Sequence, residues 1–86
     1  MVLHIGEDTV VLRREVVGIF DLENTTVSKT TRDFLSAAEQ RGDVVTVTDD
    51  IPRSFVVCVD GRGRTTVYLS QISCATLKSR NERKTV

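Results

Sequence analysis

Apolar residues recur along this chain in two rhythms, a period of two and a period near 3.6, with short polar clusters between them. In the first segment Leu3 and Ile5 alternate with Val2 and His4, so one face of an extended strand is apolar. Val10–Leu12 reads as a second strand, and the bends Gly6-Glu7-Asp8 and Arg13-Arg14-Glu15 punctuate the pair. The run Val16-Val17-Gly18-Ile19-Phe20 is almost continuously apolar, which predicts a central strand covered on both faces. Gly18 within it predicts a bulge or a close approach of another group to the backbone. His4 is expected at a surface or an interface.

After a polar connection the period lengthens. Val27, Thr31, Phe34, Leu35 and Ala38 form one stripe of a helix running from about Ser28 to Arg41. Thr26 or Ser28 caps its start, Gly42 stands where a left-handed C-cap is wanted, and Arg41 suits the helix dipole. Val44–Thr48 is β-branched throughout and predicts a strand, ended by Asp49-Asp50-Ile51-Pro52. Ser54–Asp60 is the second continuous apolar run and predicts another central strand. Gly61-Arg62-Gly63-Arg64 turns it into Thr66–Ser70 as a hairpin. Ser73 opens a short helix over about 73–80 with Leu77 docked inward, and 81–86 reads as a frayed tail.

These elements predict a single α+β domain over residues 1–86. Its twisted, mostly antiparallel sheet of about five strands is covered by one long helix, with a short C-terminal helix added. A chain of 86 residues buries only about 60–65% of its unfolded surface, so self-association is a ready source of further burial. No apolar run approaches the roughly 18 residues of a membrane span, and the first residues lack the basic start and apolar core of a secretory signal. A soluble, cytoplasmic protein is the expectation.

Candidate chemistry is sparse. Cys58 and Cys74 form no metal-ligand spacing with each other or with His4, the one histidine, so neither a metal nor a cofactor is expected. Buried, reduced thiols fit a reducing compartment. Asp49-Asp50 has no third carboxylate spaced to join it and reads as a solvated loop. The Gly61–Arg64 stretch lacks the lysine and following helix of a phosphate-cradling loop. No nucleophile–base pair is present, so an enzyme is not expected. Charge is more informative. Residues 1–52 carry five basic and ten acidic side chains, net −5, and residues 53–86 carry seven and two, net +5. A bipolar subunit can stack head to tail, and a local basic face can meet phosphate despite the overall zero; the alternative is that the two halves interleave and cancel.

The stretch HIGEDTVVLRREVVGIFDLENTT, with the later IPRSFVV and VYLSQISCATLKSR, resembles the small bacterial RemA/RemB family of biofilm-matrix regulators, and more closely its RemB-like members. The likeness runs from Leu3 to about Arg80. It implies DNA-binding transcription regulation by a head-to-tail homo-oligomeric ring, with an octamer as the family expectation, and exposed arginines that hold DNA. Arg14 and Arg53 match basic positions of the family. Glu15 occupies the place of a further arginine, and Asp50 and Ile51 stand where a paired arginine motif would be. Each lost phosphate contact removes counterion release, so the DNA surface is expected to be weaker, to shift toward Arg13, Arg62 and Arg64, or to be absent.

Two readings therefore go forward. One is a DNA-binding regulator of extracellular-matrix genes that contacts the phosphate backbone of double-stranded DNA through Arg14, Arg53, Arg13, Arg62 and Arg64. The other is an oligomeric protein-interaction module with little or no DNA binding. Neither calls for a membrane or a small-molecule ligand.

Overall fold

The alternating segment at the start of the chain forms strands, and they make a layer of their own. The computed structural model describes residues 1–24 and 27–82. In it β1 (Val2–Gly6) and β2 (Thr9–Leu12) pair antiparallel as a separate two-stranded sheet. A 3-10 turn at Arg13–Glu15 then redirects the chain into β3 (Val16–Asp21). With β4 (Val44–Thr46), β5 (Ser54–Val59) and β6 (Thr65–Ser70) it builds a second sheet in the order β3-β5-β6-β4. β5 is antiparallel to both neighbours, whereas β4 and β6 run parallel. The expected single sheet of about five strands is thus corrected to six strands in two sheets among the described residues. β propensity marks a strand without choosing its partner, and the 3-10 turn separates β2 from β3.

Two helices complete the domain, α1 (Lys29–Gln40) and α2 (Cys74–Glu82). Ser28 caps α1, its Oγ accepting from the Thr31 N–H at 3.1 Å, and Gly42 takes a left-handed φ of +77° just beyond the end. The helix is accordingly only 12 residues long, shorter than the long helix expected over 28–41. Thr26, the other candidate cap, lies outside the described residues, as do residues 83–86 of the expected tail. Ser73 caps α2 by accepting from the Thr76 N–H at 3.2 Å. This helix continues through Asn81 and Glu82, into the stretch expected to fray.

The four-stranded sheet is covered on both faces, and β5 explains why SFVVCV reads as continuously apolar. Val56 and Cys58 face the β1–β2 hairpin and α2, where Leu3, Ile5, Val11, Ile19 and Leu77 join them in one core. Phe55 and Val57 face α1, packing with Ala38 and Val67. Fully burying side chains such as Ile5, Leu77, Val56 and Val67 is worth about 1.5–3 kcal/mol each. Two buried serines stitch the layers: Ser70 Oγ donates to the Ile5 carbonyl and accepts from the Ile72 N–H, and Ser54 Oγ donates to the Ile72 carbonyl.

β3, expected to be central, is an edge strand. A bulge between Val16 and Gly18 throws Val17 outward to 66% exposure, and Phe20 stays 46% exposed. Phe34 belongs to the apolar stripe of α1 yet is 38% exposed, because that helix lies over β4 and β6 and leaves the β3 side open.

Candidate nucleic-acid interface

Antiparallel pairing of β3 with β5 decides where the arginines stand. Val16 pairs with Cys58 and Asp21 with Ser54, so the start of β3 and the end of β5 share one end of the sheet. Arg14, in the turn before β3, therefore lies at the same end as the loop that carries Arg62 and Arg64. Arg53 precedes β5 and lies at the opposite end. Six strand residues intervene, a span on the order of 20 Å. The five sequence-predicted arginines do not form one patch within a subunit.

At the first end the loop is held by Asp60, whose carboxylate accepts from the N–H groups of both Arg62 and Arg64, at 2.8 and 3.0 Å. Gly63 takes a φ of +81° there, the left-handed conformation that a glycine tolerates without strain. Arg62 is exposed and makes no ion pair among the described residues. Arg64 reaches Asp43 at 3.7 Å, and Arg41 reaches the same carboxylate at 3.0 Å. Arg14 is exposed and likewise makes no ion pair among the described residues. Its neighbour Arg13 is turned inward: one guanidinium nitrogen donates to the Asn81 carbonyl in α2, and the backbone N–H of Arg13 donates to the Met1 carbonyl at 3.0 Å. Arg13 thus ties the turn to α2. Glu15 is half-buried and close enough to Cys58 and Tyr68 to raise the pKa of both, after the larger effect of burial.

The second end is acidic. Arg53 Nε pairs with Glu23 Oε1 at 3.0 Å, with both side chains about half exposed. Asp21, Asp49 and Asp50 are exposed in the strand terminus and loop beside it. That gives four carboxylates against one guanidinium. The first end carries Arg14, Arg41, Arg62 and Arg64 against Glu15, Glu39, Asp43 and Asp60, so its charges balance and Arg14 and Arg62 form its unpaired basic patch. Charge is segregated along the strand direction.

Among the described residues no group of histidine, cysteine or carboxylate side chains has the arrangement to hold a metal, and no helix is long and apolar enough to cross a membrane. Cys58 and Cys74 are free and buried, as their sequence context suggests.

A family model described as RemA-like, extracellular matrix regulatory protein A-like, matches residues 2–80. The chain belongs to the RemA-like family. Extracellular matrix regulatory protein B of Bacillus subtilis (strain 168) is 38% identical over 80 residues, which span 93% of this chain and 89% of that protein. This RemA-like chain is thus similar to the B-type member. Two contributors to its charged ends escaped the sequence reading, Glu23 on Arg53 and Arg41 on Asp43. The first is recoverable from strand register, since pairing Asp21 with Ser54 brings the residues just beyond them together.

Proposed function

We propose that this chain is a cytoplasmic bacterial regulator of extracellular-matrix (biofilm) genes that binds double-stranded DNA as a head-to-tail homo-oligomeric ring. Membership of the RemA-like family supports the regulatory role. The observation that carries the assembly is the segregation of charge. Arg14 and Arg62 stand exposed at one end of the sheet, while at the other Glu23 pairs with Arg53 and Asp21, Asp49 and Asp50 are exposed. A basic patch at one end and an acidic one at the other fit a heterologous contact, which closes into a ring when the rotation allows. Each subunit offers the duplex few phosphate contacts, and a ring that repeats them gains avidity on a DNA segment spanning several subunits.

A salt series of anisotropy titrations with duplex DNA, run beside light scattering, tests this reading. The expected result is an oligomer at tens of micromolar subunit whose affinity falls steeply and log-linearly with salt. A clean monomer, or no binding at low salt, sinks it. The interaction-module reading keeps one specific support, the acidic surroundings of Arg53, which repel a phosphate backbone. An oligomer without DNA affinity selects it.

A further inference from the structure

The loop that joins β5 to β6 is closed at its base by two backbone hydrogen bonds. The Asp60 N–H donates to the Arg64 carbonyl at 3.0 Å, and the Gly63 N–H donates to the Asp60 carbonyl at 2.9 Å. Gly61, Arg62 and left-handed Gly63 make up the loop itself, a common hairpin geometry with Arg62 at its centre. The Asp60 carboxylate accepts from the N–H groups of Arg62 and Arg64 and so braces the backbone beneath that side chain. The apex is thin. A Cβ on Gly61 or on Gly63 would meet no heavy atom within 4 Å, so open space flanks Arg62 on both sides. Arg62 is exposed and makes no ion pair among the described residues, whereas Arg64 leans back on Asp43 at 3.7 Å. One guanidinium therefore projects from a slender, braced tip with glycine on either side.

A broad basic face tracks phosphates, but a single guanidinium on a narrow tip fits between the phosphate walls of a minor groove about 6 Å wide. In A-tracts that groove is narrower still, and its enhanced negative potential attracts an inserted arginine. The attraction acts on this one projecting cation and does not require the whole end of the sheet to be positive. A guanidinium is also less strongly hydrated than an ammonium, which favours arginine for such insertion. We propose that Arg62 is a minor-groove probe that gives this chain a preference for duplexes containing A·T tracts. The inference rests on the DNA-binding reading above and adds to it a class of target. Arg14, exposed at the same end of the sheet, then holds phosphate backbone, a contact that carries no sequence information.

The test is a set of anisotropy titrations of the full chain with duplexes of equal length. One carries an A-tract, one is G·C throughout, and one is that G·C duplex with inosine in place of guanine. Inosine lacks the N2 amino group that guanine presents in the minor groove and keeps the major-groove edge unchanged. The A-tract duplex should bind about tenfold tighter than the G·C duplex, the scale of one base-level contact, and inosine should recover much of that gain. In Arg62→Ala the affinities should converge. In Arg62→Lys, which keeps the charge on a more strongly hydrated group, most of the preference should go. Arg14→Ala should weaken every duplex alike and keep the ratio. Arg62 lies on an exposed loop, so the loss of preference should come with an unchanged thermal melt. A preference that persists in Arg62→Ala, inosine behaving as guanine does, or equal binding of all the duplexes by the parent overturns the proposal and leaves the DNA-binding reading standing. A parent that binds none of them at low salt overturns both.

Discussion

The Phe20 ring folds back over Gly18, with Cε2 and Cζ only 2.6 Å from where a Cβ on that glycine would stand. The same ring stacks on Phe55 at a centroid distance of 4.9 Å. Gly18 therefore does two things, ending the bulge after Val16 and leaving the space in which Phe20 covers the open side of β5. Gly18→Ala should push the ring toward solvent and lose the stack. A net destabilisation of about 1 kcal/mol is expected, since the aromatic pair is worth about 0.5–1.5 and the alanine recovers part through the unfolded state. Urea denaturation measures it. In a Phe20→Ala background the penalty should vanish, and a penalty that persists there refutes the steric cause.

Neighbouring positions in the β1–β2 turn should respond with opposite signs. Glu7 adopts a φ of +28°, in the left-handed region, with a side chain poorly suited to it. Glu7→Gly relieves that strain and should raise stability by about 1 kcal/mol. Gly6 also has a positive φ, +149°, and a Cβ there would stand 2.7 Å from Val47 Cγ1 and 2.8 Å from Gln71 Oε1. Gly6→Ala should therefore cost more than about 2 kcal/mol, through strain and displaced packing together. Thermal melts of the two variants check the pair, and equal shifts in one direction would contradict this account.

Burial of Cys58 pushes its thiol up to about 11, and the Glu15 carboxylate adds to the rise. The Tyr68 hydroxyl moves up as well, through burial first and then through Cys58 and Glu15. Below the unfolded thiol's value of 9.0 both folded and unfolded chains keep the proton, and the contribution to stability is complete. Above it only the unfolded chain sheds the proton, so stability should fall as pH rises from about 9 to about 11. Urea midpoints across that window measure the fall, and Glu15→Gln should shrink it. In the native protein at about pH 8 the thiolate is about one part in a thousand, so Cys58 should resist alkylation until urea is added. Rapid native labelling at Cys58, identified by mass, would exclude this burial.

What the sequence made legible, and what it did not, follows from the range of the forces involved. SFVVCV and VVGIF present the same continuous apolar signal, yet β5 is central and β3 is an edge strand. The difference lies in strand order, which only long-range pairing sets. The capping serines Ser28 and Ser73 and the left-handed Gly42 were readable because each acts within a few residues. The stripe of α1 gave the correct face, but its tilt toward β4 and β6, which leaves Phe34 exposed, depends on the sheet beneath. The arginines were readable as residues and not as a patch. Their assignment to opposite ends, and the pairing of Arg53 with Glu23, appear only once β3 and β5 are in register.

That pairing yields the most direct test of whether Arg53 meets DNA. Its Nε lies 3.0 Å from Glu23 Oε1, with the two side chains 51% and 45% exposed. An exposed pair of this kind contributes about 0–1 kcal/mol, so removing Glu23 should barely change stability. For phosphate the same carboxylate is a competitor: a duplex must displace it from the guanidinium and tolerate its charge. Glu23→Gln should therefore tighten duplex binding and steepen the salt slope by about one per engaged subunit. Arg53→Ala should weaken binding and flatten the slope, and Arg14→Ala should do the same from the opposite end. In Arg53→Ala the added Glu23→Gln should bring no further gain, because its effect acts through that guanidinium. Anisotropy titrations of the three single variants and the double variant across a salt series read all of this. A gain from Glu23→Gln that survives in the absence of Arg53 marks general relief of acidic repulsion. No gain at all removes Arg53 from the interface and leaves DNA contact to the basic end around Arg14 and Arg62.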